Sequence, residues 1–267
     1  MKKIIFLLSA ICFLTSCNVT ESIIFNKNMS GDYSSSFDMS PMLEYANENR
    51  PSSSEKAKKE KMDTTIVFSD LFRTHKDSIA ALDDDQRARL EKLKGVVMDI
   101  NMDEEKNVFK FNISKPFKSV KELENVFEQV DEAMGVAKNI GNKEGQAPED
   151  QLDELTKADE VVYTFANNTF SRFQPNSEDN EDEYEEGTEA EGAGDDGDFA
   201  QQFEAQFDEI FSNAYYTMIY SFPRKIKSVS NENAVVSEDG KTVTYKISMS
   251  DMKSDKNAMN INVVLED

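Results

Sequence analysis

The segment VVMDINMDEEKNVFKFNIS, residues 96–114, decides the fold class of this chain. Apolar and polar residues alternate on both sides of the short polar link DEEKN, with the apolar positions at Met98, Ile100, Met102, Phe109, Phe111 and Ile113. Strict alternation over this length predicts β-strands. Two such strands joined by a short link predict an antiparallel hairpin with one buried face and one solvated face.

Similar patterns predict further hairpins towards both ends of the chain. Residues 18–40 predict one hairpin, with turn residues at 28–31, and the Asp239-Gly240 pair predicts the turn of another. An Asn167-Asn168 turn joins two further short strands. The predicted strands outside the first segment cover residues 64–68, 160–166, 170–173, 215–222, 234–236, 242–249 and 259–265.

Helical signals are fewer. Pro41 opens a short helix over 42–47, and residues 70–94 place acids before bases and end at Gly95. Ser119 and Glu122 have capping-box spacing and predict a helix over 120–139. Its buried stripe is Leu123, Phe127, Val130, Met134 and Ala137. Short helices are also expected at 149–157 and 199–212. The fold class is therefore α+β: a mostly antiparallel sheet of hairpins with two or three covering helices.

One segment does not fit a folded unit. Residues 175–198 are of low complexity, and 178–198 contain 12 acids and no base. Repulsion between like charges and the lack of apolar side chains predict a disordered acidic insertion. Its acids do not have the register of a calcium-binding loop, so only weak association with divalent cations is expected. The whole chain has a formal net charge of −22, which disfavours nucleic acid as a partner.

The N-terminus indicates where the protein resides. Two lysines precede an apolar run over 4–14, which is too short to span a membrane and is typical of a signal peptide. The sequence Leu14-Thr15-Ser16-Cys17 resembles a bacterial lipobox. That resemblance implies cleavage before Cys17, whose acyl chains, such as palmitate, would anchor the protein in a membrane. The alternative is an ordinary signal peptide cut near Ser16. Since Cys12 would leave with the signal, no disulfide is expected in either case.

The resulting organisation is a lipoprotein signal peptide over 1–16, followed by one interrupted domain. Residues 17–174 form its N-terminal part, with a polar linker over 49–61. The acidic insertion over 175–198 follows. Residues 199–267, a helix and C-terminal hairpins, complete the same domain.

Candidate catalytic and binding residues are few. His75, the only histidine, lies in the polar segment FRTHKDS and is interpreted as a solvated surface residue. Asp99, Asn101 and Asp103 line one strand face and are interpreted as solvated too, because acid–base chemistry requires a cleft. The phenylalanines of 199–212 have the spacing of a core-facing helix. Common nucleotide, hydrolase and metalloprotease motifs are absent. We therefore expect no enzyme activity, no catalytic residue, no cofactor and no metal site.

Three stretches carry a family resemblance: CNVTESIIFNKNMSGDYSSSFDMSPM at 17–42, the strand 109–113, and YSFPRKIKSVSNENAVVSEDGKTVTYKISMSD at 220–251. Together they resemble uncharacterised outer-membrane lipoproteins of Bacteroidota, and the last stretch is similar to LppM-type lipoprotein domains. We expect a lipid-anchored binding or assembly module of the cell envelope without catalytic activity. Its partner would be an envelope protein that docks on the solvent face of the sheet or on an edge strand. The alternative is a periplasmic carrier of a lipid or small ligand in an apolar cavity. Surface-exported lipoproteins of that phylum often carry an acidic cluster just after the cysteine, whereas here only Glu21 follows Cys17 closely. The resemblance therefore implies the periplasmic side of the outer membrane rather than the cell surface.

Overall fold

The computed structural model describes residues 18–48, 59–133 without 82, 125, 127 and 131, 161–175, and 213–267 without 256. Cys17, most of the predicted linker, the acidic insertion and the predicted helices at 149–157 and 199–212 lie outside these residues. The described strands are β1 (Asn18–Phe25), β2 (Gly31–Asp38), β3 (Lys61–Val67), β4 (Val97–Asp103), β5 (Val108–Phe117), β6 (Val162–Ala166), β7 (Thr169–Phe173), β8 (Tyr215–Ser221), β9 (Ile226–Val229), β10 (Val235–Val236), β11 (Thr242–Ser248) and β12 (Ile261–Leu265).

These strands form two sheets. The larger sheet has the order β10-β11-β8-β1-β2-β5-β4-β3, and the smaller sheet has the order β6-β7-β12-β9. Neighbouring strands are antiparallel except for β1 and β8, which are parallel from Asn18↔Tyr215 to Ile24↔Ser221. Strands from both sides of the acidic insertion therefore share each sheet.

Apolar side chains fill the space between the two sheets. Phe25 of β1 lies 5.1 Å, centroid to centroid, from the ring of Phe170 on β7 and 5.1 Å from that of Phe222 after β8. Phe170 also packs edge-on against Tyr220 of β8 at 5.2 Å. These rings are nearly or fully buried. Because aromatic side chains bury large areas, this cluster accounts for much of the attraction between the sheets.

The helices lie at the ends of strands. They are α1 (Ser40–Glu48), α2 (Phe68–Thr74), α3 (Lys76–Ala80), α4 (Asp84–Lys92) and α5 (Met249–Ser254), with a 3₁₀ turn at Val120–Leu123. The helical prediction for 70–94 is confirmed, but as three short helices rather than one. Gly95, with φ of +86°, ends this region as expected of a glycine after a helix. None of the described helices is both long and apolar enough to cross a membrane.

The predicted capping box is wrong in its details. The Ser119 side chain makes no capping hydrogen bond, and the Glu122 carboxylate instead accepts a bond from the backbone N–H of Lys118 at 3.0 Å. The first turn is a 3₁₀ turn, which places Val120 and Leu123 against the core. Val130 is buried as predicted, while Phe127, Met134 and Ala137 lie outside the described residues.

The hairpins around residues 18–40, 96–114, 160–173 and 234–249 are confirmed. Asn167 and Asn168 both have positive φ, 50° and 62°, as the tight turn between β6 and β7 requires. Three features differ from the prediction. Lys61, assigned to the linker, begins β3, and β9 lies in a stretch where no strand was predicted. No helix was predicted at α5, whose first residue, Met249, was assigned to the preceding strand.

Candidate functional site

A buried carboxylate lies at the centre of the large sheet. In β1 the side chains of Val19, Glu21, Ile23 and Phe25 point towards the small sheet, and Glu21 is fully buried. Three tyrosine hydroxyls donate hydrogen bonds to its carboxylate. Tyr163 and Tyr220 bond Oε1 at 2.8 and 2.6 Å, and Tyr216 bonds Oε2 at 2.6 Å.

A cation from the opposite sheet completes this cluster. Arg172 of β7 is 1% exposed, and its Nε lies 3.6 Å from Oε2 of Glu21. Its Nη1 donates a hydrogen bond to the backbone carbonyl of Met259 at 3.1 Å. Burying two charges is tolerated only when they are paired and hydrogen-bonded, as they are here. We call Glu21, Arg172, Tyr163, Tyr216 and Tyr220 the buried polar cluster.

The electrostatics of the cluster follow from burial and from Glu21. Burial raises the pKa of the Tyr163, Tyr216 and Tyr220 hydroxyls well above the usual value, and the negative charge of Glu21 raises it further. The pKa of Tyr33 is raised for the same two reasons. All four tyrosines therefore stay neutral, and the three bonded ones remain donors to the carboxylate, over the physiological pH range.

The cluster joins the two sheets, but solvent does not reach it. A catalytic acid or base must come within hydrogen-bond distance of its substrate, whereas Glu21 and Arg172 are 0% and 1% exposed. Glu21 and two of its tyrosines belong to the large sheet, while Tyr163 and Arg172 belong to the small sheet. The arrangement therefore links one sheet to the other across their interface.

The middle of the outer face of the large sheet is polar and carries little charge. Two rows of paired residues cross its five central strands: Asn112, Ser36, Thr20, Thr217 and Lys246, and beside them Ser114, Ser34, Ser22, Ile219 and Thr244. Ser36 donates to the side-chain oxygen of Asn112 at 2.7 Å. Lys246 lies 3.8 Å above the centre of the Tyr215 ring. This face shows the alternation expected of a solvated sheet surface.

Among the described residues, the most exposed apolar pair lies at the edge of the large sheet. Val235 and Val236 form β10, and their exposed fractions are 67% and 39%. In the described part of the chain, β10 pairs with β11 alone. In the next pair along these strands, the backbone N–H of Ser237 donates a hydrogen bond to the carbonyl oxygen of Thr242. Ser237 and Thr242 therefore form a hydrogen-bonded pair. Because bonded and non-bonded pairs alternate in an antiparallel ladder, the N–H and C=O of Val236 point away from β11. We call Val235 and Val236 the open edge.

The sequence-predicted residues fall in different places. His75 is exposed and follows α2, as expected. Asp99 is exposed and accepts a hydrogen bond from Thr65 at 2.7 Å, and Asn101 is exposed too. Asp103 is only 8% exposed. The prediction that Asp99, Asn101 and Asp103 are all solvated is therefore wrong for Asp103.

Asp103 is held by two lysines. Lys61 and Lys106 lie 3.4 and 3.6 Å from its Oδ2. Desolvation acts in the opposite direction, but the two lysines prevail and lower the pKa of the Asp103 carboxyl. Cys17, the acidic insertion and the phenylalanines of 199–212 lie outside the described residues. Among the described residues, no group of three or more His, Cys, Asp or Glu side chains is arranged to hold a metal ion.

Sequence reasoning missed the buried polar cluster. The signal was a single acid at an inward position of an alternating strand, in NVTESIIF, residues 18–25. The acid had been counted only as a residue following Cys17. Tyr163, Arg172 and Tyr216 occupy inward positions of their own strands, but sequence alone did not bring these strands together.

Comparisons with known proteins give one weak likeness. No protein-family model and no curated protein matches the sequence. Among solved structures, the folded domain of the LppM protein of Mycobacterium tuberculosis aligns with 94% of this chain and 91% of its own length, at 7% identity and a TM-score of 0.37. At that score the likeness carries no argument about function.

Proposed function

We propose that this chain is a lipid-anchored protein of the cell envelope and that its α+β domain is a non-catalytic binding module. The anchor would be acylated Cys17, and the location would be the periplasmic side of the outer membrane. The support for the anchor is the signal-like N-terminus ending in Leu14-Thr15-Ser16-Cys17. The buried polar cluster is proposed to act in sheet packing rather than in catalysis, because its acid and base groups are closed to solvent.

The open edge carries the proposal of binding. An edge strand presents unpaired backbone groups on which an extended segment of a partner can add as a further strand. Here the backbone of Val236 points outward, and both valine side chains are exposed. β-branched side chains favour extended pairing. The partner is therefore proposed to be an extended segment of another envelope protein.

Substitutions at the open edge test this function. Val236→Pro removes the outward N–H without removing a bond to β11, and Val235→Lys replaces an exposed apolar side chain by a charge. The matched control is Ile24→Lys, because Ile24 is 54% exposed but lies on a central strand. Crosslinking in native membranes should recover one protein with the wild type and with Ile24→Lys.

Both edge variants should lose that protein while keeping wild-type thermal stability and acylation. Equal recovery with all three variants would contradict docking at the open edge. Loss with Ile24→Lys alone would move the binding surface to the outer face of the sheet.

The second candidate, a lipid or small-ligand carrier, is less well supported. The region between the sheets around Phe25, Phe170 and Phe222 is filled by rings in contact. A lipid that copurifies with the soluble domain, found by mass spectrometry, and that raises its melting temperature when added back would favour the carrier.

A further inference from the structure

The strand that follows Cys17 begins without a linker. β1 starts at Asn18, the next residue, and Asn18 already pairs with Asp38 of β2 on one side and Tyr215 of β8 on the other. Consecutive Cα atoms are roughly 3.8 Å apart, and each linker residue would add at most about 3.6 Å. No linker residue separates Cys17 from the first residue of the sheet, Asn18.

The structure around Asn18 forms one end of the large sheet. β2 ends there and continues into α1, β11 ends there and continues into α5, and β8 begins there at Tyr215. We call Tyr215, α1 and α5 the anchor end. The opposite end of β1 leads into the turn over residues 26–30, roughly 25 Å away at about 3.3 Å per residue.

The side chains of the anchor end suit a membrane interface. Tyr215 is 37% exposed, and Lys246 lies over its ring. Leu43 and Tyr45 on α1 are half-buried. Tyrosine and amphipathic side chains are favoured at the level of lipid headgroups, where one part is apolar and another is wet.

We infer that the anchor end rests directly on the lipid headgroups and that the sheet stands up from the membrane. This inference depends on the proposed acylation of Cys17. Across the sheet, Val236 is in register with Ile23, the sixth residue of β1. The register runs through Val243 of β11 and Tyr220 of β8. The open edge would therefore lie roughly 15 Å above the membrane surface at about 3.3 Å per residue, within reach of other proteins of the same membrane.

The charge of the anchor end predicts which lipids favour the contact. Glu44 and Glu48 on α1 have no basic residue beside them on that helix, and Asp251 is exposed on α5. Lys246 and Lys253 offset two of these three negative charges, which leaves a small acidic excess. Acidic side chains are repelled by anionic headgroups. The contact should therefore form on zwitterionic phosphatidylethanolamine and phosphatidylcholine, and it should weaken when phosphatidylglycerol is added.

The test uses the acylated protein in vesicles of phosphatidylethanolamine and phosphatidylcholine. Cys12 would leave with the signal and Cys17 would be blocked, so an introduced cysteine is the only free thiol. Ser250→Cys places a dye on α5 of the anchor end, and Asn28→Cys places it in the far turn; both positions are exposed. A headgroup spin-labelled lipid should quench the first dye severalfold more than the second.

A spacer variant provides the control. Ten Gly/Ser residues inserted between Cys17 and Asn18 keep the lipid anchor but no longer hold the anchor end at the membrane surface. The difference in quenching between the two dyes should therefore disappear. Equal quenching of both dyes without the spacer would overturn the inference. Stronger quenching of the Ser250→Cys dye on vesicles that contain phosphatidylglycerol would contradict the predicted charge dependence. The intact mass reports acylation separately: an unacylated Cys17 would refute the proposed anchoring itself.

Discussion

At the scale of single residues, Glu21 is the most consequential side chain. Its carboxylate accepts three tyrosine hydrogen bonds and faces Arg172, all in the space between the sheets. A buried ion pair is no guarantee of high stability, since an apolar replacement of both partners is often neutral. Its contribution here is geometric, because it links Glu21 of the large sheet to Tyr163 and Arg172 of the small sheet.

Glu21→Gln should therefore be strongly destabilising. The amide keeps the shape of the side chain but leaves Arg172 buried without a counter-charge, which costs about 3–5 kcal/mol. Tyr220→Phe should cost about 1.5–3 kcal/mol, the loss of one hydrogen bond to a charged group. The free energy of unfolding in urea measures both. The control is Asp63→Asn on an exposed position of β3, expected to change stability by less than about 0.5 kcal/mol.

A double variant separates charge from shape. Arg172→Met in the Glu21→Gln background removes the uncompensated cation and should recover part of the lost stability. If the double variant is less stable than Glu21→Gln, Arg172 stabilises the sheets through contacts other than its pairing with Glu21.

The buried tyrosines predict a particular response to alkaline pH. Burial and the charge of Glu21 raise the folded-state pKa of Tyr163, Tyr216 and Tyr220 above the unfolded value of about 10. Their contribution to stability is therefore complete below about pH 10 and is lost as pH rises beyond it. Tyrosinate absorbance should show exposed tyrosines ionising first and the buried ones only as circular dichroism reports unfolding. Ionisation of every tyrosine near pH 10 in a folded protein would contradict the cluster.

At the scale of elements, the β1–β2 hairpin depends on one glycine for reasons of space. A Cβ on Gly31 would lie 2.0 Å from the backbone oxygen of Ile24 and 2.8 Å from Cζ of Phe117. Gly31→Ala should therefore destabilise the protein by at least about 3 kcal/mol, the upper part of the range for overpacking.

Gly95→Ala, a glycine substitution outside this hairpin, is the matched control for Gly31→Ala. A Cβ there meets nothing within 4 Å, and only its φ of +86° is unfavourable, at about 1–2 kcal/mol. Thermal unfolding of both variants tests the comparison. A Gly31→Ala protein as stable as Gly95→Ala would mean that the hairpin differs from the structure described.

Sequence patterns predicted the elements better than their arrangement. Alternation identified β4, β5, β8 and β12 because each has one face buried. β9 was missed, since KIKSV has too few apolar residues to alternate. The parallel pairing of β1 with β8 joins segments almost 200 residues apart. No local pattern encodes it, and for that reason the sequence did not reveal the buried polar cluster built across it.

At the scale of the whole molecule, the two parts flanking the acidic insertion share both sheets, so neither part contains a complete sheet. β8 lies between β11 and β1, and β12 lies between β7 and β9. The predicted disorder of 176–198 makes this segment the expected site of proteolytic cleavage.

Limited proteolysis should cut within 176–198 and leave two fragments that stay together. They should elute as one species in size-exclusion chromatography and separate only in denaturant. Cleavage elsewhere with this segment intact would show that the prediction of disorder is wrong. Separation of the fragments in native buffer would contradict the shared sheets.

The most direct test of the central claim is photo-crosslinking from the open edge in native membranes. A photoreactive amino acid at Val235 should form one specific adduct with an envelope protein, whereas the same amino acid at Ile24, which is also apolar and exposed, should form none. That result would support a binding module that docks its partner at the edge of the large sheet. The same adduct from both positions, or an adduct from Ile24 alone, would contradict it.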